Sequence, residues 1–238
     1  MCSKSQHDFC LRFDSFQLPI HLLHLSRWYL ALVRLPLASF SDGRDSAPPE
    51  RYTGLPKPAA GVLQNRYVGD FLLYGAADGW RRSASGQVYA VQVGERPVAY
   101  GVSLAHGVER IEQLGASAVV VGGDGKDLHF TSVRLAGIPV AVNRYTRANA
   151  AQGETRSHGF YYKPEDEHGG LLGLPVVKGW VGTTGRVTRE EASLLFLRND
   201  SLTLSELGTL DSRPGEASRN DGCRASCVDW YGNSRPLF

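Results

Sequence analysis

The stretch Gly107–Leu135, GVERIEQLGASAVVVGGDGKDLHFTSVRL, decides the architecture, because it reads as three short strands joined by two tight glycine turns. Val108, Ile111 and Leu114 carry the apolar side of a first segment, and Ala118–Val121 is a continuous apolar run that suits a middle strand buried on both faces. Leu128, Phe130, Ser132 and Arg134 then alternate with His129, Thr131, Val133 and Leu135, the period of two that a strand requires. Leu114-Gly115-Ala116 supplies the first turn. Gly123-Asp124-Gly125-Lys126 supplies the second, where Asp-Gly offers the positive φ of a type I′ hairpin. Such a β-meander speaks to architecture and needs no ligand.

The same strand-and-turn texture extends outward from this unit. Gln64–Tyr74 reads as a strand pair or one bulged strand around Gly69, followed by Gln87–Val93 and Val98–Leu104. Beyond the meander come Ile138–Tyr145, a polar loop over Thr146–Ser157, and strands at His158–Lys163 and Leu171–Val177 with a hairpin at Glu165–Gly170. A last pair, Ala192–Arg198 and Ser201–Leu207, turns at Asn199-Asp200.

The first 57 residues differ in texture. Leu22, Leu25, Trp28, Tyr29, Leu32 and Val33 recur near helical spacing between Pro19 and Pro36, which predicts one short amphipathic helix. Arg27 and Arg34 interrupt the run, so it is neither a transmembrane span nor a signal-peptide core. Ser41–Pro58, with Pro48, Pro49, Pro56 and Pro58, reads as a linker. Residues 1–57 are therefore expected to form a poorly ordered N-terminal segment and linker, and residues 58–238 the folded domain.

Within that domain the apolar strands Phe71–Tyr74, Ala118–Val121, Phe160–Tyr162 and Leu194–Leu197 begin 47, 42 and 34 residues apart. A four-stranded propeller blade occupies roughly 40 to 50 residues. The expected fold class is all-β: a partial β-propeller of about three to four antiparallel blade-like meanders, where natural propellers have about four to eight blades.

Several segments taken together, NRYVGDFLLYG (Asn65–Gly75), HGVERIEQLGASAVVVGGDGKDLHF (His106–Phe130), GETRSHGFYYKP (Gly153–Pro164), GLLGLPV (Gly170–Val176), SLLFLRND (Ser193–Asp200) and CRASCVDWYGNSRPLF (Cys223–Phe238), resemble secreted bacterial proteins with a C-terminal β-propeller domain. The resemblance covers about residues 60–238. It implies an extracellular or periplasmic propeller of the cell envelope, without an established catalytic role and without active-site residues to carry over. The first 57 residues do not share it, and Arg235-Pro-Leu-Phe238 falls where another strand is expected to begin, so the chain is read as a fragment of a longer parent or as a mis-called reading frame whose beginning belongs to a different frame.

Composition narrows the function classes. Among 238 residues, 26 Lys and Arg face 24 Asp and Glu, a formal +2 that gives no global attraction to nucleic acid or an anionic membrane. The four cysteines are Cys2, Cys10, Cys223 and Cys227. Three residues separate Cys223 from Cys227, a spacing compatible with a local disulfide in an oxidising compartment or with free thiols. A zinc site needs about two further ligands, and no His is near in sequence. No metal, cofactor or catalytic set is expected.

Motifs that invite chemistry have simpler accounts. Gly122–Gly125 lacks dinucleotide and P-loop spacing, and Asp124 with Asp127 lacks the rest of a calcium loop, so a hairpin turn explains them. His21 and His24 form the one close histidine pair, in the N-terminal segment. Glu154, Arg156, Ser157 and His158 are neighbours in sequence, but adjacent residues on an extended chain point to opposite faces. Glu165, Asp166 and Glu167 read as a solvated hairpin tip, and Arg81-Arg82 beside Trp80 is too small a basic patch for nucleic acid. Tyr67, Tyr74, Trp80, Tyr161, Tyr162, Trp180, Trp230 and Tyr231 fit sheet packing better than a ligand groove. The expected function is a non-catalytic binding or scaffolding module with a protein or polysaccharide partner. One alternative is a hydrolase acting on polysaccharide or peptide at the propeller mouth, for which Glu154, His158 and a second carboxylate must converge. Another is a truncated product without function, since blade edges and missing caps invite aggregation.

Overall fold

The computed structural model describes residues 11–12, 20–25, 29–40, 42–44, 46–58, 61–77, 85–155, 157–178 and 192–211. They form an all-β structure of four antiparallel sheets, each a meander whose strands follow largely in chain order. The first sheet holds β1 (Leu11–Arg12), β2 (Ile20–Leu25), β3 (Leu30–Leu35) and β4 (Tyr52–Leu55). The second holds β5 (Val62–Val68), β6 (Phe71–Ala77), β7 (Gly86–Gln92) and β8 (Val98–Leu104). The third is the meander expected from sequence: β9 (Arg110–Leu114), β10 (Ser117–Gly123), β11 (Leu128–Arg134) and a fourth strand, β12 (Val140–Arg147). The last sheet contains β13 (Ala150–Gln152), β14 (Tyr161–Pro164), β15 (Gly169–Lys178), β16 (Ala192–Asp200) and β17 (Thr203–Asp211).

Three apolar layers join these sheets in sequence. Leu23, Leu30 and Leu32 pack on Leu72, Tyr74 and Val91, so the first sheet covers one face of the second. Leu73, Val88 and Val102 from the second sheet meet Ile111, Ala118, Val120 and Val133 from the third. Val119, Val121 and Phe130 on the opposite face of the third sheet meet Leu172, Leu174, Leu195 and Leu197. Strand β10 thus sends alternate side chains into two layers, which is why its sequence is apolar without interruption. Each fully buried aliphatic side chain in these layers contributes about 1.5–3 kcal/mol. Strands β5, β9 and β14 approach one another along one side of the stack, while β8, β12 and β17 approach along the other.

Three expectations are corrected. The segment Ile20–Leu35 is a hairpin, not a helix: β2 and β3 pair in register from Ile20↔Leu35 to Leu25↔Leu30. Leu30 and Leu32 face the second sheet while Val33 faces Leu35, Ala47 and Tyr52, so both faces of β3 are apolar. A strand covered on both sides carries no period-two signal, and its leucines happened to fall at helical spacing. The proline-rich stretch also contributes structure, a short 3-10 turn at Pro49–Arg51 and strand β4, and its Pro56 carbonyl accepts a 2.7 Å hydrogen bond from the Tyr74 hydroxyl. The polar segment Thr146–Ser157, read as a loop, contains the end of β12 and all of β13.

The turns of the meander differ in one detail. Gly115, at φ 64°, makes the tight first turn. The second is a four-residue loop, because Gly123 pairs with Leu128 and the Asp124 carboxylate accepts hydrogen bonds from the Lys126 and Asp127 amides. At the other end of the unit, the chain enters from β8 through His106-Gly107-Val108, wedged between the second and third sheets. A Cβ on Gly86 would stand 2.4 Å from the His106 carbonyl oxygen, one on Gly75 3.0 Å from a Val108 methyl, and one on Gly122 1.9 Å from the Gly107 carbonyl oxygen. Backbone cannot yield at such distances. Gly122→Ala is therefore expected to cost at least about 2 kcal/mol in urea unfolding, as overpacking does, whereas Gly54→Ala, with no atom within 4 Å of the new Cβ, changes stability by under about 0.5 kcal/mol.

Candidate functional site

Strand β15 is paired along one side by two short pieces instead of one continuous strand: β13 takes Val176–Lys178 and β14 takes Gly170–Gly173. Between them the chain leaves the sheet over residues 153–160. Gly153 N–H stays bonded to the Pro175 carbonyl at 2.9 Å, and a single 3-10 turn at Ser157–Gly159 leads back in. This break faces β9, where Arg110, Glu112 and Leu114 share one side of the strand. Leu114 enters the apolar layer and the two charges meet the break.

Arg110 organises the cluster. Its Nε donates to Gln152 Oε1 at 2.9 Å, Nη1 to Glu112 Oε1 at 3.0 Å and Nη2 to the Glu154 carbonyl at 2.8 Å. Its guanidinium also lies 6.0 Å from the centre of the Phe160 ring, within cation–π range. Glu112 is held from its other side by Arg66 of β5, at 2.9 Å. Gln152 Nε2 donates to Glu109 Oε2 at 2.9 Å, and Glu109 Oε1 accepts from the Gly123 amide. One cluster therefore ties strands of the second, third and last sheets together. Arg110, Glu112 and Glu154 are buried, while the side chains of Arg66 and His158 are 45% and 39% exposed and form the solvent-facing members. Burial pushes the Arg110 pKa down and that of Glu112 up, opposing charge on each, and Arg66 and Arg110 pull Glu112 back toward the carboxylate.

The residues singled out from sequence fare differently. Glu154 and His158 do come together, with His158 Nε2 3.7 Å from Glu154 Oε2, an ion-pair separation longer than a hydrogen bond. Asp124 and Asp127 sit in the hairpin loop, where Asp127 accepts from the Asn149 amide and Asp124 from His129. Burial acts to raise the Asp124 pKa, but the Asp127 amide, His129 and the Lys126 amide hold it far below the usual range. Glu165–Glu167 form the expected exposed tip: Asp166 caps the His168 and Gly169 amides, and Glu165 pairs with Arg198 at 2.9 Å. His24 stacks on Tyr29 and meets Tyr52 edge-on. Tyr74 is buried and stacked on Tyr89, and the Tyr162 hydroxyl accepts from Asn199, as packing aromatics do. Cys223, Cys227, Cys2, Cys10, Arg81, Arg82, Arg156, Trp80, Trp180, Trp230 and Tyr231 lie outside the described residues. Among the described residues, no group of three His, Cys, Asp or Glu is placed to hold a metal ion, and no helix is long and apolar enough to cross a membrane.

Sequence reading missed Arg110 and Glu112. The signal was present, since a strand that buries Leu114 also buries what stands two and four residues before it. No family model matches the chain, and comparison with curated proteins finds no significant relative.

Removing one partner from a buried ion pair strands the other, whereas removing both does not. Arg110→Met is expected to lose about 3–5 kcal/mol in chemical denaturation. Arg110→Met combined with Glu112→Leu is expected to recover more than half of that loss, an interaction energy that a double-mutant cycle reads directly.

Proposed function

We propose that this chain is a β-propeller module of the secreted or cell-envelope fraction that binds a protein or polysaccharide without transforming it. The observation that carries this reading is the succession of four antiparallel meanders, three of four strands and one of five, each packed face to face on the next. In a propeller the strands that gather on one side of the stack line the central mouth, where ligands are taken. Here that side is formed by β5, β9 and the broken β13–β14 strand, with Arg66 and His158 as its solvent-facing polar groups. The charges behind them are engaged with one another through Arg110, which favours a rigid recognition surface over a set of poised acids and bases.

Glu154 and His158 are the specific feature in favour of a hydrolase, and one experiment separates the readings. Purified chain is passed over immobilised cell-wall polysaccharides and a peptide panel, and the same mixtures are assayed for released sugar ends or new amino termini. Saturable binding without released product, weakened at least tenfold by Arg66→Ala with His158→Ala, is the expected result. Product release abolished by Glu154→Gln establishes the hydrolase instead, and absence of both binding and release overturns the proposal.

A further inference from the structure

Where the chain crosses from β8 to β9, two histidines are stacked inside the protein. The His106 and His129 rings lie 5.3 Å apart at 19°, His106 fully buried and His129 nearly so. Every ring nitrogen has a partner. His106 Nδ1 is 2.7 Å from the Gly107 carbonyl and must carry a proton to donate to it, so Nε2, 2.7 Å from Thr131 Oγ1, accepts from the threonine hydroxyl. His129 Nε2 donates to Asp124 Oδ2 at 2.9 Å, and its Nδ1 accepts from Thr146 Oγ1 at 2.9 Å.

The surroundings of the two rings differ. His129 faces Thr146, which is exposed, and rests against the Asp124 carboxylate. On His106 a second proton, at Nε2, points at Thr131, which is buried, so its hydroxyl cannot turn out to solvent. Among the described residues, the charged groups acting on His106 are His129 of β11, Arg144 of β12 and Asp124 of the β10–β11 loop. The first two oppose a charge there and only Asp124 favours it. On the opposite side β7 presents Gly86, which carries no charge and lies hard against the His106 carbonyl.

We propose that the His106–His129 stack is an acid-sensitive latch: protonation of His106 expels the His106-Gly107-Val108 crossover from its slot and parts the second sheet from the third. The rigid seating of that crossover by Gly75, Gly86 and Gly122 means that the ring cannot be charged and rehydrated without moving the chain. Burial, followed by the charges of His129 and Arg144, outweighs the Gly107 hydrogen bond and places His106 at about 4 instead of 6.5. The open form therefore binds the proton more tightly than the closed one. Closure is fully stable above pH 6.5, weakens as pH falls from 6.5 toward 4, and the displacement caps the effect at about 300-fold in the opening equilibrium.

Amide hydrogen exchange on the intact chain, corrected for intrinsic rates, tests this between pH 7 and pH 4. Protection at Val88 and Val120, across the second layer, is expected to fall by more than thirtyfold, while protection at Leu172 and Leu195 falls less than threefold. His106→Gln, which keeps a neutral donor and acceptor, is expected to remove the difference; if that variant does not fold, Thr131→Val, which removes the hydroxyl facing Nε2, is expected to raise the pH of opening. Uniform loss of protection in all sheets, or equal protection at pH 7 and pH 4, overturns the latch. So does a His106 ring signal that titrates above pH 6 while the sheets stay protected.

Discussion

The fold hangs on a close approach of backbone to backbone. For one meander to follow another, the chain must pass from the far strand of one sheet to the near strand of the next through a gap that two apolar faces are trying to close. Here the gap is the width of a glycine: Gly75, Gly86 and Gly122 lack the Cβ atoms that would occupy the path of His106-Gly107-Val108. With the crossover seated, β9 is delivered beside β5, and β10 lies between two apolar layers. The third sheet then serves as the central plate of the stack, touching the second sheet with one face and the last with the other.

Polar groups buried by this arrangement are of two kinds. Around Arg110, opposite charges from three sheets neutralise one another, and the break between β13 and β14 brings Glu154 into the same cluster. At the crossover, the stacked histidines are buried, and of the charges acting on His106 only Asp124 favours a positive ring. On the opposite side of the stack, Tyr145 and Arg147 of β12 both reach Glu206 of β17, tying the third and last sheets there, and burial with the Glu206 hydrogen bond pushes the Tyr145 pKa up to about 12.

The third sheet was legible from its residues because Val119-Val120-Val121 and the Gly115 turn are local signals that tertiary structure did not override, although the Asp124-Gly125 connection is a four-residue loop and not the expected type I′ turn. The first sheet was not, because β2 and β3 are short strands with apolar residues on both faces, and such strands are indistinguishable by periodicity from a buried helix. Of the broken strand, β14 overlaps the expected strand His158–Lys163, but β13 was read as loop because Ala150–Gln152 is only three residues long and carries no large apolar side chain; it is β15 that gives it a ladder. The histidine stack joins residues 106 and 129, and the Arg110 cluster joins residues 66, 110, 112, 152 and 154, so neither contact set has a local signature. Only the burial of Arg110 and Glu112 was implicit, through the alternation that also buries Leu114.

The seating of the crossover is open to direct observation by nuclear Overhauser spectroscopy on the folded chain at neutral pH. Strong cross-peaks are predicted between the Val108 methyl groups and the Gly75 α protons, accompanied by contacts between the Gly107 and Gly86 α protons. Absence of both sets in a protein that otherwise shows the β10–β11 pairing, such as Val121 opposite Phe130, would contradict the face-to-face stacking on which this account rests.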